Sequence, residues 1–284
     1  PSVLGGIIPI VGAKGVGKST FVRYLIHRFL SREEQYEVFV LDGDTGQPEF
    51  GPPGLVTLTH LKQAHPLWSL PHHHMITSNS SEESRNPLVP PGASQTALFY
   101  GGITSQVDPE RYLELLSRLV ETYRSTVATT SSSLEDRPLP PLIVNMNGWI
   151  KGLGFQLLTT FLNAHLPDHV VQIVGTGSGA TVDVTSPTLS PPRTMIHTLP
   201  SYRNGAASSG GSSAAALSVP ASAWRDLRWV HYWWGYDRNP TLDIKFSQND
   251  LIEDEQGMIA QRLASQYPYT VPWECVHCQT MDSH

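Results

Sequence analysis

Two groups of residues in this chain have the types and spacing that phosphoryl transfer needs. The first is a glycine-spaced octet, Gly12, Ala13, Lys14, Gly15, Val16, Gly17, Lys18 and Ser19, with Thr20 directly after it. It satisfies G-x-x-x-x-G-K-[ST], a pattern in which the backbone N–H groups turn inward around phosphate oxygens. Lys18 would reach the β and γ phosphates, and Ser19 would ligate Mg²⁺. The second group is acidic. Asp42 and Asp44 alternate at the end of an apolar run, so in extended backbone their side chains project the same way. One carboxylate can then hold the water shell of Mg²⁺ while the other accepts a proton from an attacking hydroxyl. Asp44 is expected to be the base, and Asp42, with Ser19, the metal or water ligand. The competing reading is a turn, because Asp-Gly and Asp-Thr-Gly are turn-like sequences.

Further residues could complete such a site. Gln47 and Glu49 are placed to orient an incoming hydroxyl or its nucleotide, or are simply solvated. Trp149 follows Gly148 at a strand end, where an indole can stack on any base for about 1–3 kcal/mol; the alternative is a core tryptophan. Lys151 could pair with a backbone phosphate or remain surface charge. Arg225 and Arg228 are three apart on a predicted helix and would share a face. Arginines delivered to a γ-phosphate supply on the order of 10³–10⁵ in rate; the alternative is ordinary helix-surface charge.

The elements that must hold these residues can be read from hydrophobic pattern. Residues 6–11 are an apolar strand entering the glycine loop, and residues 20–30 a helix leaving it, so the helix N-terminus adds its partial positive charge to the anion site. Residues 36–41 form a second strand ending at the acidic pair. Further strands are expected at 55–61, 96–100, 142–146 and 169–174, with a short extended segment at 195–199. Helices are expected at 109–124, 152–164 and 223–234. Alternating strands and helices argue for a doubly wound, mostly parallel α/β sheet covered on both faces, with ligands outside the carboxyl ends of the strands. Polar or small-residue composition marks mobile loops at about 71–94, 125–141 and 201–222. Residues 1–266 would form one domain with a mobile lid helix at 223–234, and 267–284 the start of a C-terminal domain or tail.

Composition excludes several classes. The chain has 284 residues and a formal net charge of −6, so nucleic acid can be met only locally and not by a wholly basic surface. Two cysteines make no disulfide framework and suggest a reducing compartment. No apolar run approaches the roughly 18 residues of a membrane span, so no membrane partner is expected. The start at Pro1 suggests a piece of a longer protein.

The ordered set of motifs resembles the polynucleotide 5′-hydroxyl-kinase family. A glycine loop followed after one helix by D-x-D-x-G-Q-P-E, here Asp42 to Glu49, looks closest to its pre-ribosomal-RNA-processing, nucleolar branch. Residues 145–154, including Asn147, Gly148, Trp149 and Lys151, are similar to the family's clasp segment, N-T-x-G-W-x-K-G-x-G, which holds the RNA end. Met146 stands where that motif has threonine. Residues 224–233 resemble the lid helix, whose two arginines, here Arg225 and Arg228, reach the transferring phosphate. Residues 267–273 look like the entry to the following domain.

The resemblance implies a P-loop fold, ATP and Mg²⁺ as cofactors, and transfer of the γ-phosphate of ATP to the 5′-hydroxyl of RNA. It also implies work in the nucleus, within the nucleolus, beside an endoribonuclease whose cut leaves that hydroxyl. The alternative function is an ATP-bound scaffold subunit of an RNA-processing complex; the acidic pair and lid arginines favour the enzyme, since a scaffold needs only the phosphate loop. A GTPase is disfavoured by the lack of an N-K-x-D motif. His72, His73 and His74 are not expected to form a metal site, and the Cys275–Cys278 spacing has no second pair to complete one unless a ligand comes from outside the chain.

Overall fold

The computed structural model describes residues 6–32, 37–63, 89–90, 92–131, 139–175, 194–201 and 221–234. The chain divides into a compact unit, Pro1–Tyr236, and a second, Asp237–His284. The expected domain entry at 267–273, the histidine run and both cysteines lie outside the described residues.

Among the described residues, seven strands form one sheet in the order β4-β3-β2-β5-β1-β6-β7. Its centre is built from β1 (Ile7–Val11), β2 (Val38–Asp42) and β5 (Leu142–Asn145), all mutually parallel, with β6 (His169–Val174) beside β1. Both β2 and β5 are buried at every position. That explains why these strands read as unbroken apolar runs: a central parallel strand has a covered face on each side and no reason to alternate. β7 (Met195–Pro200) adds in parallel at one edge.

The other edge corrects the expectation of simple alternation. β3 (Leu55–Leu61) runs antiparallel to both β2 and β4 (Ser94–Phe99). Passing through the reversed β3 returns β4 to the direction of β2, so its carboxyl end opens on the same side as the glycine loop.

Helices cover both faces. α1 (Lys18–Leu30) buries Val22, Ile26 and Leu30 at four-residue intervals, the spacing of one helical stripe; these join Ile10, Val40 and Ile143 in one cluster. On the opposite face α2 (Pro109–Ser131) and α3 (Leu153–His165) pack Leu116, Leu119, Leu158 and Phe161 against Leu41, Leu142 and Val144. Asp108 caps α2, accepting the Arg111 N–H at 3.0 Å, and Pro109 occupies the first helical position, where no N–H is needed.

α2 also runs through the first part of the linker expected at 125–141, ending only at Ser131. The threonines and serines there stay helical by returning their hydroxyls to the preceding turn, as Thr126 Oγ1 does to the Thr122 carbonyl at 2.8 Å, and Val127 packs on the core. Extending an existing helix costs far less than nucleating one. α4 (Ala221–Trp234), the helix expected as a lid, starts two residues earlier than expected.

Candidate active site

The glycine loop fills the six residues between β1 and α1. Gly17 takes φ of +104° with nothing near its missing Cβ, so the left-handed backbone alone selects glycine there. The loop is pinned from behind, where Val16 is buried and its carbonyl accepts the Ser201 hydroxyl at 3.0 Å. Lys18 is only 7% exposed, and burial lowers its ammonium to about 8, an effect that the Asp44 carboxylate opposes. Its Nζ donates to the Ala13 carbonyl at 3.0 Å.

Lys14, Gly15, Gly17, Lys18, Ser19 and Thr20 form one wall of a cleft of about 580 Å³. The loop after β2 contributes Asp44, Thr45, Gly46 and Gln47, the turn after β5 contributes Asn147, Gly148 and Trp149, and α4 contributes Ala221 and Arg225. The predicted phosphate loop, base, clasp and one lid arginine therefore meet at the carboxyl edge of the sheet.

The two aspartates do different things. Asp44 faces the cleft, and its Oδ1 accepts the Gly46 and Gln47 N–H groups at 3.1 and 3.0 Å, fixing the carboxylate's direction. Asp42, expected among the metal ligands, is fully buried and does not line the cleft. Its Oδ1 accepts the Asp44 N–H at 3.1 Å and Asn145 Nδ2 at 3.0 Å, while Oδ2 accepts the Glu49 N–H. Burial raises its carboxyl to about 7 against the pull of those N–H donors. The turn-forming reading of the Asp-Gly sequence holds, since both carboxylates accept backbone N–H groups of the loop.

Glu49 also departs from expectation. It lies outside the cleft, where its carboxylate takes a two-pronged contact from Arg23 at 2.7 and 2.8 Å. The arginines of α4 likewise separate. Arg225 lines the cleft, but Arg228 is bonded to Glu49, and burial lowers its guanidinium from the ordinary arginine value.

In the turn after β5, Gly148 lies against the glycine loop: a Cβ there would sit 2.8 Å from both the Cα and the N of Lys14. Trp149 is partly a core tryptophan and partly a wall of the cleft. It lines the cleft, and it also packs on the core cluster and over Gly154, whose missing Cβ would come within 2.5 Å of the indole. Met146 is buried in the core, away from the cleft. Lys151 is exposed and not part of the cleft wall.

Sequence reasoning missed the loop after β4. Ile103, Thr104, Ser105 and Gln106 also line the cleft, and Ser105, itself buried, accepts Asn147 Nδ2 at 2.7 Å. The available signal was Gly101 and Gly102 followed by small hydroxyl residues just past a strand, but its relevance depends on β4 pointing the same way as β2. Asn145, which supports Asp42, is legible in the sequence only as the first residue of the 145–154 segment.

A model of the family described as mRNA cleavage and polyadenylation factor CLP1 P-loop matches residues 12–179. The chain is 35% identical over 173 residues to the polynucleotide 5′-hydroxyl-kinase NOL9 of Arabidopsis thaliana, covering 61% of this chain and 41% of that protein. It is 31% identical over 295 residues to the polynucleotide 5′-hydroxyl-kinase grc3 of Emericella nidulans, covering 93% of this chain and 34% of that protein. The chain thus spans well under half the length of these relatives. A solved Clp1p–Pcf11p complex has a chain of the same fold, with a TM-score of 0.56 at 17% identity over 82% of this chain and 50% of that one.

Proposed function

The chain belongs to the Clp1 P-loop family, and from that premise we propose that it is the catalytic domain of an ATP-dependent polynucleotide 5′-hydroxyl kinase acting on RNA. The observation that carries this reading is the convergence of Lys18, Asp44 and Arg225 on one cleft. A nucleotide-holding scaffold needs the first of these; transfer to a hydroxyl needs all three.

Each residue then has a physical task. Within the Gly12–Ser19 loop, the N–H groups of Lys14, Gly15, Gly17, Lys18 and Ser19, which line the cleft, bind the phosphates of ATP together with the α1 terminus. Lys18 adds a charge whose burial strengthens it toward an incoming phosphate, because little water competes. Ser19 would hold Mg²⁺, which takes most of its ligands from water and phosphate oxygens and so needs few protein groups. The fit is supported by the Ser19 position in the cleft wall beside Lys18. When bound, the ion neutralises charge on the β and γ oxygens.

Asp44, held by two N–H donors on Oδ1, is left with Oδ2 to accept the proton of the attacking 5′-hydroxyl. Asp42 shapes the loop that presents it. Arg225 meets charge that develops on the transferring group, and Trp149, with Asn147 and Gln47, forms the acceptor side. We place the reaction in pre-ribosomal RNA processing in the nucleolus, after an endoribonuclease that leaves a 5′-hydroxyl end, as the motif resemblance implies.

The test is transfer of labelled γ-phosphate by the full-length protein to a 5′-hydroxyl oligonucleotide, with the 5′-phosphorylated oligonucleotide as control. Asp44→Asn should lower transfer on the order of 10²–10⁴-fold while ATP still binds. Retained nucleotide with no transfer, even beside a processing partner, would overturn the kinase in favour of a scaffold.

A further inference from the structure

Arg225 and Arg228 stand less than one helical turn apart on α4, yet their guanidinium groups have different neighbours. Arg225 lines the cleft with Lys18 and Asp44. Arg228 donates from Nη1 to the Glu49 carbonyl oxygen at 2.7 Å and holds Nη2 3.9 Å from Glu49 Oε2.

Glu49 is itself fixed from two other directions. Its backbone N–H donates to Asp42 Oδ2 at the end of β2. Its carboxylate accepts Arg23 Nε and Nη2, from the helix that begins at Lys18. The side chains of Glu49 and Arg228 are 8% and 14% exposed, so their charges are compensated mainly by one another and by Arg23 rather than by water. Asp42 and Asp44 add attraction for Arg228, and Arg23 opposes it. Glu49 therefore joins three pieces: the acidic loop, the helix behind the phosphate loop, and α4.

Helix geometry carries the consequence. Residues three apart are separated by about 4.5 Å along the axis and lie on one face. Anchoring Arg228 on Glu49 thus sets both the height and the rotation at which Arg225 enters the cleft.

We propose that Arg228 is a positioning residue, a latch that docks α4 on Glu49 and so places Arg225 over the cleft, and that it is not a second arginine presented to the transferring phosphate. This rests on the kinase reading of the cleft. It also gives the glutamate of the Gln-Pro-Glu sequence a task that spacing alone does not reveal: it is the socket of the latch.

A double-mutant cycle in the full-length protein tests this. Arg225→Ala should lower kcat by about 10³-fold or more. Arg228→Ala should lower it on the order of 10- to 100-fold, the penalty of a catalytic group displaced by about 1 Å, with KM for ATP little changed. The double variant should be no slower than Arg225→Ala alone, because a latch has nothing left to position. Independent, multiplying effects would show that Arg228 meets the phosphate itself and would overturn the proposal.

Hydrogen exchange across 221–234, measured without substrate, gives a readout that needs no turnover. Exchange should quicken in Arg228→Ala, stay unchanged in Arg225→Ala, and be partly restored in Arg228→Lys, which keeps one donor for the Glu49 carbonyl. Unchanged exchange in Arg228→Ala would refute the latch. If wild-type protein transfers no phosphate, the kinase reading fails, and the exchange comparison still decides the latch.

Discussion

Asn147 donates from Nδ2 to Ser105 Oγ at 2.7 Å, joining the turn after β5 to the loop after β4, although β3 and β2 separate those strands in the sheet. The same asparagine accepts the Trp149 N–H at 3.2 Å, so one side chain ties the tryptophan to the missed loop. Ser105→Ala should cost about 1–3 kcal/mol of stability by leaving the amide short of a partner. It should raise KM for the oligonucleotide and leave ATP affinity unchanged. Urea unfolding and initial rates check the two effects; an unchanged KM would detach this loop from the acceptor side.

Gly148→Ala tests the contact between the turn after β5 and the glycine loop. The added Cβ would meet Lys14 Cα and N at 2.8 Å, and these are backbone atoms that cannot swing aside. Relief requires the two turns to part, at about 1–3 kcal/mol for such overpacking. ATP affinity, followed by calorimetric titration, should fall even though residue 148 need not touch nucleotide.

Asp42 and Asp44 should separate cleanly when substituted. Asp42→Ala leaves the Asp44 and Glu49 N–H groups and the Asn145 amide without their buried acceptor. At about 1–3 kcal/mol for each stranded donor, most of the protein's stability should be lost. Asp44→Asn keeps an Oδ1 for Gly46 and Gln47, so its unfolding midpoint should stay near wild type while transfer falls. Thermal unfolding of both variants beside the kinase assay tells shaping from chemistry.

His165 supplies a pH dependence away from the cleft. It is buried at the end of α3, with Nε2 3.1 Å from Ser117 Oγ and Nδ1 without a partner. Burial, aided by Arg124, lowers its pKa from the ordinary 6.5. The unfolded chain therefore binds the proton first. Stability from this group is full above pH 6.5 and is lost as pH falls below it toward the folded value. Urea midpoints between pH 7.5 and 5 should drop more steeply for wild type than for His165→Gln; parallel slopes would contradict this.

What could be read without the structure was local in the chain. The phosphate loop lies within eight consecutive residues, and its anion site is a property of that backbone and the helix that follows. β2 and β5 were legible because central parallel strands must be apolar on both faces. The remaining assignments depended on neighbours distant in sequence.

Asp42 and Asp44 project alike on an ideal strand, yet β2 ends at Asp42, so alternation stops there and the two carboxylates part. Arg225 and Arg228 share a helical face, but only the packing of α4 shows that Glu49 engages one and the cleft receives the other. Spacing fixes which side chains can act together; tertiary contacts decide which of them remain available. A buried charge is claimed by the nearest opposite charge or hydrogen-bond donor that folding brings to it, wherever that partner lies in the sequence.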